Sequence, residues 1–179
     1  VVLSGGVLKR SDLENKVDLI AQLIAGEKQV SLANYEPNKG FNLDNVECEI
    51  SDDGKISGLK TTVLNAPNAD LFLVFGKHKS GFAFALISKG AKGSKVTTYK
   101  TYDGFVSGDL LLENCKAEAV FSKSDALEIL HQAILEGIIC VSSEAIGAME
   151  TCYKLTIEYT QQREQFGQSL SKFQALQHR

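Results

Sequence analysis

Arg163, Gln165 and Phe166 sit together in the run Arg163-Glu164-Gln165-Phe166-Gly167, and Phe173-Gln174-Ala175-Leu176-Gln177-His178-Arg179 follows closely. A guanidinium forms paired hydrogen bonds with a pyrophosphate, and an aromatic ring packs on a flat base, so this grouping suits a dinucleotide. A plainer reading is open as well: an arginine at a helix C-terminus beside a glycine turn matches the helix dipole as a cap. Gly90-Ala91-Lys92-Gly93-Ser94-Lys95 lacks the spacing of a phosphate loop and joins two strands instead of entering a helix, so it reads as a basic surface turn. Leu32 to Phe41, with Pro37 and Gly40, reads as a turn after a strand. Cys48, Cys115, Cys140 and Cys152 have no metal-ligand or redox-pair spacing and read as reduced, buried side chains. His78, His131 and His178 are scattered through different elements, and no metal site is expected.

The elements that would position these groups have two textures. Ser11 and Glu14 form a capping box, after which Leu13, Val17, Ile20 and Ile24 fall on one helical face, with Gly26 as the closing cap. From residue 28 to 121, short apolar runs alternate with turn residues: 28–35, 45–50, 55–64, 71–76, 82–88, 95–99 and 109–113. Asp53-Gly54 between two of these runs predicts a tight hairpin. Strands without intervening helices predict an antiparallel β-barrel or sandwich. Asp125 and Glu128 form a second capping box, and apolar residues recur at helical spacing from Leu127 to Tyr159. Unbroken to Arg163, that helix is about 57 Å long at about 1.5 Å per residue. A stripe with Gly137 and Gly147 inside it predicts close approach of a neighbouring backbone, as in a bundle or a subunit interface. Gly167 ends this helix, and Ser169-Leu170-Ser171-Lys172 opens another.

The expected architecture is therefore α+β: residues 1–27 as the end of a helical domain, 28–122 as the β-barrel, and 123–179 as the start of a domain of long antiparallel helices. Hydrophobic residues make up 44% of the 179, charged residues 23%, and the net charge is −3, which suits a globular chain and argues against nucleic acid as a partner. The opening residues lack the basic start and apolar run of a signal peptide, and no apolar stretch appears long enough to span a bilayer; a cytoplasmic protein without membrane association is expected. The helical pattern at Phe173 to Arg179 meets no stop signal, so the chain reads as part of a longer protein.

Ser143-Glu144-Ala145-Ile146-Gly147-Ala148-Met149-Glu150, Tyr159-Thr160-Gln161-Gln162-Arg163-Glu164-Gln165-Phe166-Gly167 and Phe173 to Arg179 together resemble the first helices of the acyl-CoA dehydrogenase C-terminal domain, in which Arg-x-Gln-Phe-Gly is a signature. Upstream, Tyr35-Glu36-Pro37-Asn38-Lys39-Gly40-Phe41 is similar to that family's Thr-Glu-Pro-Gly-Ala-Gly-Ser loop, with Tyr35 and Phe41 in place of hydroxyl residues. Gly58-Leu59-Lys60-Thr61-Thr62-Val63-Leu64-Asn65-Ala66 resembles the strand that backs the flavin, with Thr62 replacing a tryptophan and Leu64 a threonine. The resemblance extends from about Lys16 to Arg179, and its departures look most like the small-subunit branch of pimeloyl-CoA dehydrogenase.

This resemblance implies FAD as cofactor, an acyl-CoA thioester as substrate, and a homo- or hetero-oligomer, dimer or tetramer. It implies that Arg163, Gln165, Phe166 and Gln174 reach the pyrophosphate and adenine of a neighbouring subunit's FAD. Tyr35, Gly40 and Phe41 then belong to the flavin loop, and Thr62, Val63 and Leu64, through backbone groups of the last two, to the flavin-backing strand. In the family a carboxylate removes the acyl α-proton while FAD N5 accepts hydride from the β-carbon. In most members that carboxylate would lie beyond Arg179; in a minority it occupies the position that falls here at Gly137, and Glu136 beside it is turned away by about 100°. Two further readings remain: a non-catalytic family subunit that assembles with an active paralogue, and an all-β binding module with an unrelated helical tail.

Overall fold

The computed structural model describes residues 1–178, so Arg179, the last residue of the Phe173 to Arg179 motif, lies outside the described residues. The chain divides into two compact units, Val1–Gly137 and Ile138–Arg179, each taken by itself below.

The first unit opens with α1 (Val2–Arg10), whose last turn carries Lys9 and Arg10 where the helix dipole favours cations. Ser11, expected to open a helix, closes this one: its amide donates to the Val7 and Leu8 carbonyls and its hydroxyl to Leu8 O at 2.9 Å. The next helix, α2 (Lys16–Ala25), starts later, and Gly26 ends it in the left-handed conformation at φ 76°. Its buried face also differs from expectation. Leu19 and Leu23 pack inward with Leu13, while Val17 and Ile24 are exposed, because the later start and the position of α1 rotate the inward stripe.

One eight-stranded sheet follows, formed by β1 (Val30–Ala33), β2 (Glu49–Ile50), β3 (Lys55–Leu64), β4 (Leu71–His78), β5 (Gly81–Ser88), β6 (Ser94–Lys100), β7 (Val106–Lys116) and β8 (Ala119–Phe121). It is open, not a closed barrel: β6 and β8 end the path β6-β7-β3-β2-β4-β5-β8. Nor is it wholly antiparallel, since β1 and β2 run parallel to β4 and share one of its edges. The link from β4 to β3 through the two-residue β2 is correspondingly narrow. The predicted hairpin forms between β2 and β3, with Gly54 at φ 75°.

Side-chain alternation along β4 explains its unbroken apolar run. Leu71, Leu73 and Phe75 join a core with α1, α2 and the start of α3, while Phe72 and Val74 join a second core with β3 and β7. Both faces of this strand are covered, so no polar alternation is needed.

The long helix α3 (Ala126–Gln162) forms as one piece. Within the first unit, Ala126, Ile129, Leu130 and Ala133 bury against the helical-side core. By length and composition this helix would suffice to cross a membrane, with a mean hydropathy of 1.4 over its most apolar window, contrary to the expectation that no stretch is long and apolar enough. Glu136, Glu144 and Glu150 recur along it, and isolated carboxylates in a bilayer are costly.

In the second unit, residues of α3 from Ile138 onward are exposed almost throughout, including Cys140 and Cys152, which were expected to be buried; Cys48 and Cys115 are buried. Past α3 the chain forms a hairpin of β9 (Glu164–Gln165) and β10 (Gln168–Ser169), then a 3-10 turn, Leu170–Lys172, and the short α4 (Gln174–Gln177). The expected pair of long antiparallel helices is thus not present among the described residues: a hairpin takes the place of the second helix start. Phe166 and Gly167 both have positive φ, 56° and 77°, which is the geometry of a two-residue hairpin turn with the right strand twist.

Candidate functional site

Three of the sequence-nominated residues of the first unit, Tyr35, Thr62 and Leu64, come together where β1 leaves the sheet. Glu36 is buried and accepts hydrogen bonds from the Glu47 amide at 2.5 Å, the Cys48 amide at 2.9 Å and the Lys60 ammonium at 2.7 Å. Lys60 is fully buried. Burial pushes the Glu36 carboxyl up, but the Lys60 ammonium and the two amides outweigh it and hold the group below its ordinary value. The same burial pushes the nearby Cys48 thiol up to about 11. This ion pair, with the Thr61 amide bonded to Tyr35 O at 2.9 Å, ties the Tyr35 to Phe41 loop to β3.

Next to that tie, β3 bulges. Lys60 pairs with Leu110 and Val63 with Gly108, so Thr61 and Thr62 together face Asp109. Thr62 adopts φ 53°, and its amide donates to Asp109 Oδ1 and the Tyr99 hydroxyl, both at 3.2 Å. The Thr61 and Tyr99 hydroxyls donate to the same carboxylate oxygen at 2.7 and 2.9 Å. Partial burial pushes the Asp109 carboxyl up, and these donors together bring it below its usual range. The carboxylate thus holds the bulge in shape, and sequence reasoning did not find it: a lone aspartate in a strand carries no motif.

Tyr35, Thr62 and Leu64 line one cavity of about 310 Å3, together with Ser31, Asn34, Asn65 and the first residues of α1. That volume is at the lower end of small-molecule sites, about 300–1,000 Å3. Val63 does not line it; its side chain is buried in the second core, as alternation between Thr62 and Leu64 requires. Leu64 contributes its side chain, while its carbonyl already accepts from Ser31 Oγ at 2.8 Å. Gly40, at φ 61°, and Phe41 lie outside the cavity lining; Phe41 is 88% exposed and meets Tyr35 edge to face at 5.9 Å.

Glu136 is bound elsewhere. Arg10 holds it in a two-pronged pair, Nη2 to Oε1 at 2.7 Å and Nη1 to Oε2 at 3.0 Å, which keeps the carboxyl below its ordinary value. Arg10 Nη1 also donates to Gly6 O at 3.1 Å, and a Cβ on Gly6 would stand 3.0 Å from Glu136 Oε2, so α1 and α3 approach closely here.

In the second unit, Arg163, Gln165 and Phe166 are carried on the hairpin and Gln174 on α4; all four are exposed. The Arg163 carbonyl accepts from the Leu170 amide at 2.9 Å, which closes the hairpin and leaves the guanidinium free of this task. Phe166, 91% exposed, meets Phe173 edge to face at 6.2 Å, placing the aromatic beside the start of α4. No group of three or more metal-ligating side chains occurs among the described residues.

Residues 127–179 match the family described as acyl-CoA dehydrogenase, C-terminal domain. In sequence the chain is similar to acyl-CoA dehydrogenases along this stretch and beyond it. Across 92% of its length it is 29% identical to a 3-(aryl)acrylate reductase of Clostridium sporogenes, of which it covers 47%. Over 90% of its length it is 27% identical to the mitochondrial isovaleryl-CoA dehydrogenase of Oryza sativa subsp. japonica, covering 43% of it. The chain thus spans about half the length of the curated relatives it matches. Its fold is that of a solved structure described as PigA with FAD and proline: TM-score 0.91, 22% identity, 99% of this dehydrogenase-like chain and 50% of the other. The likeness in fold therefore extends beyond the C-terminal match and takes in the sheet.

Proposed function

We propose that this chain forms part of an FAD-dependent dehydrogenase that oxidises the α,β bond of an acyl-CoA thioester. The observation that carries the reading is the cavity that gathers Tyr35, Thr62 and Leu64 from two separated segments. The flavin ring of FAD fits this donor set: apolar side chains line the cavity together with the polar side chains of Ser31, Asn34, Tyr35, Thr62 and Asn65. Bound there, FAD would supply the acceptor for hydride from the acyl β-carbon. The Glu36–Lys60 tie and the Asp109 carboxylate hold the loop and the bulged strand in register, and Leu64 adds an apolar side chain to the lining. Arg163, Gln165 and Phe166, with Gln174, form an exposed group suited to the pyrophosphate and adenine of an FAD held by another subunit, since a guanidinium and an aromatic ring match those groups.

The test is the absorbance of the purified protein that carries this chain. Flavin bands are expected, and Arg163→Ala is expected to lower flavin retention on gel filtration by about tenfold, the loss of a charge-assisted contact. A colourless protein, with or without added FAD, overturns the reading.

A second reading has its own support: a subunit without turnover, of the kind the pimeloyl-CoA dehydrogenase small-subunit branch suggests, assembled with an active paralogue. Tyr35 and Phe41, which replace the usual Thr and Ser, pack edge to face on each other, and Glu136 is committed to Arg10. Glu136→Gln in the complete protein separates the roles: unchanged turnover leaves Glu136 as a brace between helices, and abolished turnover makes it the base.

A further inference from the structure

His78 closes β4 with a side chain only 2% exposed, yet its Nε2 makes no hydrogen bond among the described residues. The other ring nitrogen is engaged: Nδ1 stands 2.8 Å from Ser80 Oγ and 3.3 Å from the Ser80 amide nitrogen. Ser80 Oγ also lies 3.0 Å from Lys123 O, in the segment that leads into α3. A hydroxyl has one proton, so beside a ring bare at Nδ1 it donates to the ring or to the carbonyl, not to both. A ring protonated at Nδ1 donates to Oγ, which then donates to Lys123 O, and both contacts are satisfied at once. The longer contact with the Ser80 amide is the one such a ring gives up. In a neutral ring that proton would leave the Nε2 lone pair 3.1 Å from Asp52 Oδ1, acceptor against acceptor. Only the doubly protonated ring suits both sides.

The other charges around the ring are largely matched. On the hairpin between β2 and β3, Lys55 pairs with Asp53 at 2.7 Å; on the ring's own turn, Lys79 pairs with Asp52 at 2.5 Å. Glu49 and Lys77 are register partners where β2 meets β4. On the α3 side Lys123 presents its carbonyl, while Asp12, Asp125, Glu128 and His131 line hollows shared with Ser80 and not with His78. Asp52 stays ionised at neutral pH, because the Lys79 ammonium outweighs desolvation and holds its carboxyl below the ordinary value.

We propose that His78 is a pH-sensitive clamp that, once protonated, holds the β2–β3 hairpin turn to the β4–β5 turn through Asp52. The misalignment that denies Nε2 a hydrogen bond matters little to a charged ring, because Coulomb attraction depends on separation and not on direction. A neutral ring gains almost nothing from Asp52. Imidazole is the side chain that changes charge between about pH 5 and 8, so the clamp's contribution is present in mild acid and lost as pH rises. The seam it reinforces is the two-residue β2, through which β3 is joined to β4.

The test is a double-mutant cycle of Asp52→Asn and His78→Gln in the protein that carries this chain, read by urea unfolding at about pH 5.5 and about pH 8. The cycle cancels the other titrating groups, His131 among them. In acid the two substitutions are expected to be coupled by about fivefold in the unfolding equilibrium constant, and in alkali by less than about twofold. Coupling that does not shrink as pH rises, or that is absent at both values, overturns the clamp. Where His78→Gln fails to fold, Asp52→Asn alone decides, since it lies in an exposed turn and its pairing with Lys79 contributes equally at both pH values. Its destabilisation is then expected to be about threefold or more greater in acid than in alkali, and an equal loss at both overturns the proposal.

Discussion

Glu36 and Lys60 show at the scale of single residues how a buried charge can organise a site. Neither would be tolerated alone in this interior, and removing one partner strands the other. Lys60→Met is therefore expected to cost about 3–5 kcal/mol and to lower the melting temperature by roughly 10 °C, read by differential scanning calorimetry. Replacing both by apolar residues of similar volume is expected to recover most of that loss. The pH dependence has a definite sign. The Glu36 carboxyl is held below its ordinary value, so its stabilisation is fully present above about pH 4.3 and is lost as pH falls through the folded-state value. Glu36→Gln is expected to flatten this acid limb in urea titrations run at successive pH values; an unchanged limb would show that other carboxylates govern it.

Among the elements, the two most consequential are irregular. The bulge in β3 turns Thr62 into the left-handed region and aims its amide at Asp109, and a close crossing with the Cys48 backbone occurs just upstream at Gly58. A Cβ on Gly58, at φ 151°, would stand 2.7 Å from Cys48 Cα. Backbone cannot swing aside as a flexible side chain can, so Gly58→Ala is expected to destabilise the protein by about 2 kcal/mol in chemical unfolding. The hairpin of β9 and β10 depends likewise on Gly167. Gly167→Val is expected to disturb the presentation of Arg163 and Phe166, reducing flavin retention much more than the melting temperature, because the hairpin is exposed and contributes little to either core. Equal losses in both would place the hairpin's role in folding.

At the scale of the whole molecule, the second unit presents Ile146, Met149 and Tyr153, each more than 60% exposed, on a continuous helix. Such a run of apolar surface is unusual for a chain that acts alone. If the complete protein assembles through this surface, Met149→Glu is expected to shift it to a smaller species in sedimentation velocity, with the first unit still folded by circular dichroism. A species of unchanged size would remove this stretch of α3 from the assembly.

Much of the strand content was legible in local pattern: 55–64 matches β3 to the residue, and Asp53-Gly54 marked the turn before it. The long helix was legible too, because its spacing persists beyond any turn signal. Of the residues nominated in the first unit, the fold brings Tyr35, Thr62 and Leu64 to one cavity and leaves Gly40, Phe41 and Val63 outside its lining. What residue types alone could not decide was pairing and partnership. Ser11 satisfies a helix end in either direction, and only the presence of α1 makes it a closing cap. Strand runs do not say whether a sheet closes, and here β1 and β2 share the edge of β4 and leave it open. Glu136 and Asp109 are ordinary polar residues in a sequence. Their roles depend on which group, 126 residues away for Glu136, 47 or 48 for Asp109, stands within hydrogen-bonding distance.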